Sequence, residues 1–384
     1  MTLAMDFTDA IPENTRRAIR FERPAYIPVT FWINPACWHH YPPEALQELI
    51  AEHRLLFPGP PPVPQFAPWE RAGRPYVDSW GCTWETTDDG ITGAVTGHPL
   101  ADWEALEHYA PPDPNRTNGL APIDWRDIAD KIARICHCEE RSDEAISTPR
   151  PGGCIAGPSM TRNGHSHITG SLPVASLEHG HTFLRLSYLR GYERLVYDMA
   201  DADRRLGRLI EMVEAFSLRI VQRYVDLGVA LMRYPEDLGM QRGPMLAPGH
   251  FRKYIKPVYE RLMAPARAAG CLVHMHSDGD IRDLVDDLVV SGVDALNLQD
   301  LVNGLDWIAA RLKGRVCIDL DIDRQSVTRF GSPAQIDALI REEVTKLGSP
   351  AGGLMMIYGL YPGVPLENVQ ALMDALERYA TFYA

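Results

Sequence analysis

The segment Leu272-Val273-His274-Met275-His276-Ser277-Asp278-Gly279-Asp280 holds a dense chemistry-bearing pattern: an apolar start, then His, His and Asp at every second position. A strand has a side-chain period of two, so these three residues share one face. If the strand ends here, the polar groups stand at the carboxyl end of a parallel sheet, where barrels and open α/β sheets place their active sites. Gly279 permits a sharp exit, and Asp280 can cap a helix starting at Ile281. His276 and Asp278, at the rim, are read as functional. His274 lies deeper and is read as a buried histidine satisfied by a backbone carbonyl.

A second cluster, Tyr234-Pro235-Glu236-Asp237-Leu238-Gly239-Met240-Gln241, follows the apolar run Val229–Met232 and puts two carboxylates and an amide at another strand end. Adjacent acids are hard to bury together without a cation, so either a metal or a positive group is near, or one acid caps a helix. Asp319, Asp321 and Asp323 repeat at period two in Val316–Asp323, which fits either a functional rim or a solvent-facing edge. Gln299 and Tyr358 end two further apolar runs. If all these runs are parallel strands, Glu236, Asp237, Gln241, Gln299 and Tyr358 should gather with His276 and Asp278 in one pocket. Trp80, Trp84 and His98 could line its mouth, although aromatic residues in such places usually belong to the core.

The elements that must position these groups are short apolar runs at Ile27–Trp32, Gly153–Gly157, Val229–Tyr234, Leu272–His276, Ala295–Gln299, Val316–Leu320 and Leu354–Tyr358. Helical patterns at Phe183–Met199, Asp203–Leu227, Pro248–Ala269, Ile281–Ser291, Leu305–Leu312, Pro333–Leu347 and Leu366–Phe382 alternate with the later runs, as parallel βα units require. Seven strands suit an open doubly wound sheet as well as a barrel. An eighth would fall between Ile168 and Glu178. The first 120 residues are rich in proline, tryptophan and glycine, and Ser79–Thr96 reads as a β-hairpin around Asp88-Asp89-Gly90. Residues 136–152 interrupt the pattern and read as a surface insertion.

The whole chain has 384 residues, 45% of them hydrophobic and 23% charged, enough for a sizeable core. A formal net charge of −13 argues against nucleic acid and anionic membrane surfaces. No apolar run approaches the roughly 18 residues of a spanning helix, so a cytoplasmic protein is expected. The seven cysteines are scattered and read as reduced thiols; Cys136-His137-Cys138 makes a poor tetrahedral metal set. No Gly-x-Gly-x-x-Gly, Walker A or His-Glu-x-x-His motif is present, so no nucleotide cofactor is expected.

Pro235–Gln241, Pro248–Pro257, His276–Ile281, Gly292–Gln299 and Pro365–Val369, in this order and spacing, resemble the uroporphyrinogen decarboxylase superfamily over roughly residues 180 to 384. Asp78–Cys82 and His98–Trp103 resemble its amino-terminal hairpin region. The resemblance implies one (β/α)8 TIM-type barrel domain over residues 1–384, with an arm and hairpin in 1–120, and makes a homodimer plausible. The superfamily holds decarboxylases and cobalamin- or thiol-linked methyltransferases. The decarboxylases' Arg-Gln-Ala-Gly-Arg-Tyr segment has no counterpart here. In the methyltransferases, His-x-Cys and a later Cys hold zinc; His276 matches the histidine, Asp278 stands at the first cysteine position, and no cysteine occurs near Tyr358-Gly359-Leu360.

The resemblance therefore implies a harder zinc site of His276, Asp278 and Asp237, with Glu236 as an alternative ligand, and methyl transfer from a small methylated substrate to a corrinoid protein or a thiol. Decarboxylation without metal is the competing enzyme reading. A non-catalytic ligand-binding relative is the reading from another class.

Overall fold

The computed structural model describes residues 8–59, 65–135 and 171–384. The expected strand at Gly153–Gly157, the Cys136-His137-Cys138 group and the insertion at 136–152 lie outside the described residues. Eight strands form one curled sheet: β1 (Thr8–Pro12), β2 (Val29–Ile33), β3 (Ser171–Ser176), β4 (Leu231–Asp237), β5 (Leu272–Asp278), β6 (Ala295–Gln299), β7 (Cys317–Asp321) and β8 (Leu354–Leu360). Their order is β1-β3-β4-β5-β6-β7-β8-β2. β3 is the strand expected between Ile168 and Glu178.

This order excludes the doubly wound alternative. A doubly wound sheet reverses its order at a switch point. Here β3 to β8 neighbour one another consecutively, and β8 then pairs in parallel with β2, which comes far earlier in the chain. The fold is a TIM-type barrel. One member departs from the regular pattern: β1 runs antiparallel to β3, with Ile11 opposite Leu172. Ile11, Val174, Leu231, Leu272, Ala295, Cys317 and Met355, one from each of seven strands, pack into one apolar cluster with Ala18 and Ile19, which gives the barrel a floor.

Outward-facing strand residues such as Tyr234, Met275, Leu296 and Leu320 join the larger core beneath the helices. Four helical expectations need adjustment. The Phe183–Met199 pattern splits into helices Phe183–Arg190 and Tyr192–Ala200, because Gly191 adopts φ 86° at the junction. Pro248–Ala269 contains a wide turn at Phe251–Ile255, just before Pro257, whose missing N–H cannot continue a regular ladder. The helix expected from Ile281 starts at Val285, and that expected to Phe382 ends at Ala380. Among the described residues, no helix is long and apolar enough to cross a membrane.

The amino-terminal hairpin is present as Thr83–Glu85 paired with Ala94–Gly97, with Tyr76–Val77 added as a third strand. It is tied to the barrel by a buried ion triad: Arg185 Nη1 lies 2.7 Å from Asp78 Oδ2, and its Nη2 lies 2.6 Å from Glu178 Oε1. Trp80 is buried against Phe216, so it belongs to the core rather than to a mouth. His98 is anchored by Nδ1, 2.7 Å from the Tyr188 carbonyl.

Candidate functional site

β4 and β5 run side by side with Arg233 opposite His274, Pro235 opposite His276 and Asp237 opposite Asp278. Strand alternation sends all six side chains into the barrel, and all six line a cavity of about 900 Å³. The two strands leave the sheet through Gly239 and Gly279. Gly279 has φ 82°, and a Cβ on either glycine would collide with the other's backbone. This contact, with the Leu238 N–H donating to Ser277 Oγ at 2.9 Å, fixes both strand ends against each other.

His276 Nε2 lies 3.6 Å from Asp237 Oδ1 and 3.8 Å from Asp278 Oδ1. His179, three positions beyond the end of β3, brings its Nε2 within 3.4 Å of the same Asp237 oxygen. His179, Asp237 and His276 each offer a ligand atom, and these atoms all lie within 4.8 Å of one another. Tetrahedral bonds of about 2.0–2.1 Å place neighbouring ligand atoms roughly 3.4 Å apart, so the set fits a zinc-sized ion.

The tautomer of His276 fits as well. Asn297 Nδ2 donates to the Asp319 carbonyl at 2.7 Å, which turns Asn297 Oδ1 toward His276 Nδ1 as an acceptor. His276 Nδ1 therefore carries a proton, and Nε2 is the atom that can bind a metal. Burial works against a charged His276, but Asp237, Asp278 and Asn297 outweigh it and raise the imidazole to about 9. Burial would also raise Asp237, yet the His179 and His276 hydrogen bonds hold it well below the usual carboxylate range.

The sequence expectations sort by strand face. Asp237, His276 and Asp278 all line the one cavity. Asp278 is shared with Arg324, whose Nη2 lies 3.3 Å from Asp278 Oδ1 and 2.8 Å from Asp321 Oδ2. His179 thus takes the third place of the close cluster in which Asp278 was expected.

Glu236 alternates to the other face of β4 and is fully buried there. It accepts hydrogen bonds from the N–H groups of Thr182, Phe183 and Leu184 and from the Tyr259 hydroxyl, so it anchors the start of helix Phe183–Arg190. Tyr358 also points outward, packing on Phe31 and reaching Thr328 Oγ1 at 3.3 Å; burial pushes its hydroxyl up to about 12. Gln299 accepts the Gly279 N–H at 3.1 Å and holds the loop after β5. Gln241 is exposed on a turn. Glu236, Gln241, Gln299 and Tyr358 do not line the cavity.

His274 does face inward, but its Nε2 meets the Asp319 carboxylate at 2.8 Å instead of a backbone carbonyl. Asp319 and Asp321 line the cavity, and burial pushes Asp321 up to about 7 against the pull of Arg324. Asp323 has left the strand and accepts N–H groups from Ser326 and Val327.

Four cavity residues escape a reading of the sequence: His179, Arg233, Asn297 and Arg324. Arg233 carries the clearest signal, as the one charged residue in the apolar run Val229–Tyr234. His179 has a weaker one, following the weakly patterned stretch that contains β3.

Residues 178–379 match the uroporphyrinogen decarboxylase (URO-D) family. The human uroporphyrinogen decarboxylase is 24% identical over 196 residues, covering 49% of this chain and 50% of its own. That of Thermus thermophilus is 28% identical over 182 residues, covering 45% and 48%. The chain thus spans about half the length of the curated relatives it matches. A methyltransferase from Methanosarcina mazei superimposes over 98% of this chain and 99% of its own with a TM-score of 0.56 at 15% identity, a likeness of fold. On the strength of the family match, which covers more than half of its length, this chain belongs to the uroporphyrinogen decarboxylase family.

Proposed function

We propose that this protein is a metal-assisted methyltransferase that takes a methyl group from a small methylated donor and passes it to a corrinoid protein or a thiol. The observation that carries this reading is the convergence of His179, Asp237 and His276, at or just beyond the carboxyl ends of three neighbouring strands, in one cavity. Two imidazoles and a carboxylate are a hard to borderline set suited to zinc. Zinc held there would act as a Lewis acid on the donor's heteroatom.

The chain's own residues do the rest. Asn297 fixes the His276 ring, and the Gly239–Gly279 contact sets the spacing of Asp237 and His276. Arg324 is paired with both Asp278 and Asp321 beside the cluster. Trp32, Trp84 and Tyr188 supply apolar walls that exclude water around a small donor.

Family membership favours a second reading, decarboxylation without metal. The cavity argues against a substrate with many carboxylates: Glu178, Asp237, Asp278, Asp319 and Asp321 all line it, against Arg233 and Arg324. Zinc content of the purified protein, followed by methyl transfer from methoxybenzene-type donors to a corrinoid acceptor, tests the proposal. Near-stoichiometric zinc and methylated corrinoid are expected. Zinc that is absent or unaffected by His276→Ala, with carbon dioxide released from a carboxylated substrate, would establish the second reading.

A further inference from the structure

Below the metal-binding cluster lies a second polar layer. Arg233 on β4 and His274 on β5 are in register, one inward position beneath Pro235 and His276 and one above the floor residues Leu231 and Leu272. Every carboxylate on the cavity wall already has a partner: Glu178 is held by Arg185, Asp237 by His179 and His276, Asp278 and Asp321 by Arg324, and Asp319 by His274. Arg233 is a cavity cation for which, among the described residues, no side-chain hydrogen bond or ion pair is found. Arg233 is half-buried on the cavity wall, and its planar fork matches a carboxylate with two parallel hydrogen bonds.

We propose that the cavity binds small molecules bearing a single carboxylate, held by Arg233, with the opposite end of the molecule directed at the His179/Asp237/His276 cluster. As a statement about the methyl donor, this rests on the proposed function; as a statement about binding, it does not. Arg233 is in register with His274, two residues below His276 on the same face, a separation of about 7 Å along the strand. One cation without a counter-ion at the deep end matches one anionic group on the ligand.

The test uses the full chain, stripped of metal with a chelator so that no ligand can bind an ion instead. Calorimetric titration with benzoate and with benzamide, its neutral counterpart, is expected to show benzoate bound at least about 10-fold more tightly, the worth of one charge-assisted contact. Arg233→Gln is expected to abolish that preference. Equal affinities in the native protein, or an undiminished preference in Arg233→Gln, would overturn the proposal.

A crystal structure of the native protein with benzoate keeps the test independent of whether the variant folds. The carboxylate is expected on the Arg233 guanidinium, and finding it on Arg324 or outside the cavity would overturn the assignment. Zinc binding is measured on a separate aliquot. A benzoate preference without zinc binding would leave this inference standing and remove the metal reading, and zinc binding without the preference would do the reverse.

Discussion

His276 Nε2 stands 3.6 Å from Asp237 Oδ1 across the boundary between two neighbouring parallel strands, and His179 reaches the same oxygen from the next strand over. The carboxylate is thus the hub of the cluster. Asp237→Asn, His276→Ala and His179→Ala are each expected to weaken zinc binding by at least about 100-fold, whereas Asp278→Asn, whose carboxylate is shared with Arg324, is expected to change it by less than about 10-fold. Metal content after dialysis against a graded chelator reads the difference. Equal losses in all four variants would place Asp278 in the ligand set.

Asn297 stands outside the His179/Asp237/His276 cluster, yet it decides which nitrogen of His276 carries the proton. Asn297→Ala should lower zinc affinity by roughly 10- to 100-fold with little change in melting temperature, in line with the worth of outer hydrogen bonds at metal sites. Competition with a chromophoric chelator measures this. Unchanged affinity would mean that the ring is oriented by packing alone.

Glu236 tests the sorting of acids by strand face. Its carboxylate accepts three backbone N–H groups and the Tyr259 hydroxyl in a fully buried setting, so Glu236→Ala should destabilise the fold by about 3 kcal/mol. Denaturant unfolding gives the value. Loss of turnover with native stability would return Glu236 to the reaction.

A pH effect is built in behind the cavity wall. Asp300 and Glu343 face each other in the core, where burial raises Asp300 to about 6 and Glu343 well above the usual range. Raised carboxyl groups contribute stability that is present below their unfolded values, near 4, and lost as pH rises through the folded values. Glu343→Gln, which cannot ionise, should therefore melt close to the native protein at pH 5 and above it at pH 8. A difference independent of pH would show that burial does not raise the Glu343 carboxyl group.

The local periodicity of the chain determined much of this arrangement. Alternation in Leu272–Asp278 by itself puts His274, His276 and Asp278 on one face, and they do share the inner wall. The same rule separates Glu236 from Asp237, since neighbours on a strand face opposite ways, and grouping both acids as one strand-end cluster hides that consequence. Tyr358 is harder to place: its face depends on which residues of β8 point inward, and the continuous apolar run Leu354–Leu360 carries no alternation to reveal it.

Only the tertiary structure could decide the rest. The side-by-side order of β3, β4 and β5 is a property of the curled sheet, and it alone brings His179 to Asp237 and leaves Arg233 in register with His274. Likewise, the division of Asp319, Asp321 and Asp323 between cavity wall and helix cap depends on where β7 ends, after Asp321. A sequence determines the face and the chemistry of each residue through local geometry, but which charges neutralise one another is set by distances between strands, and those exist only once the barrel has closed.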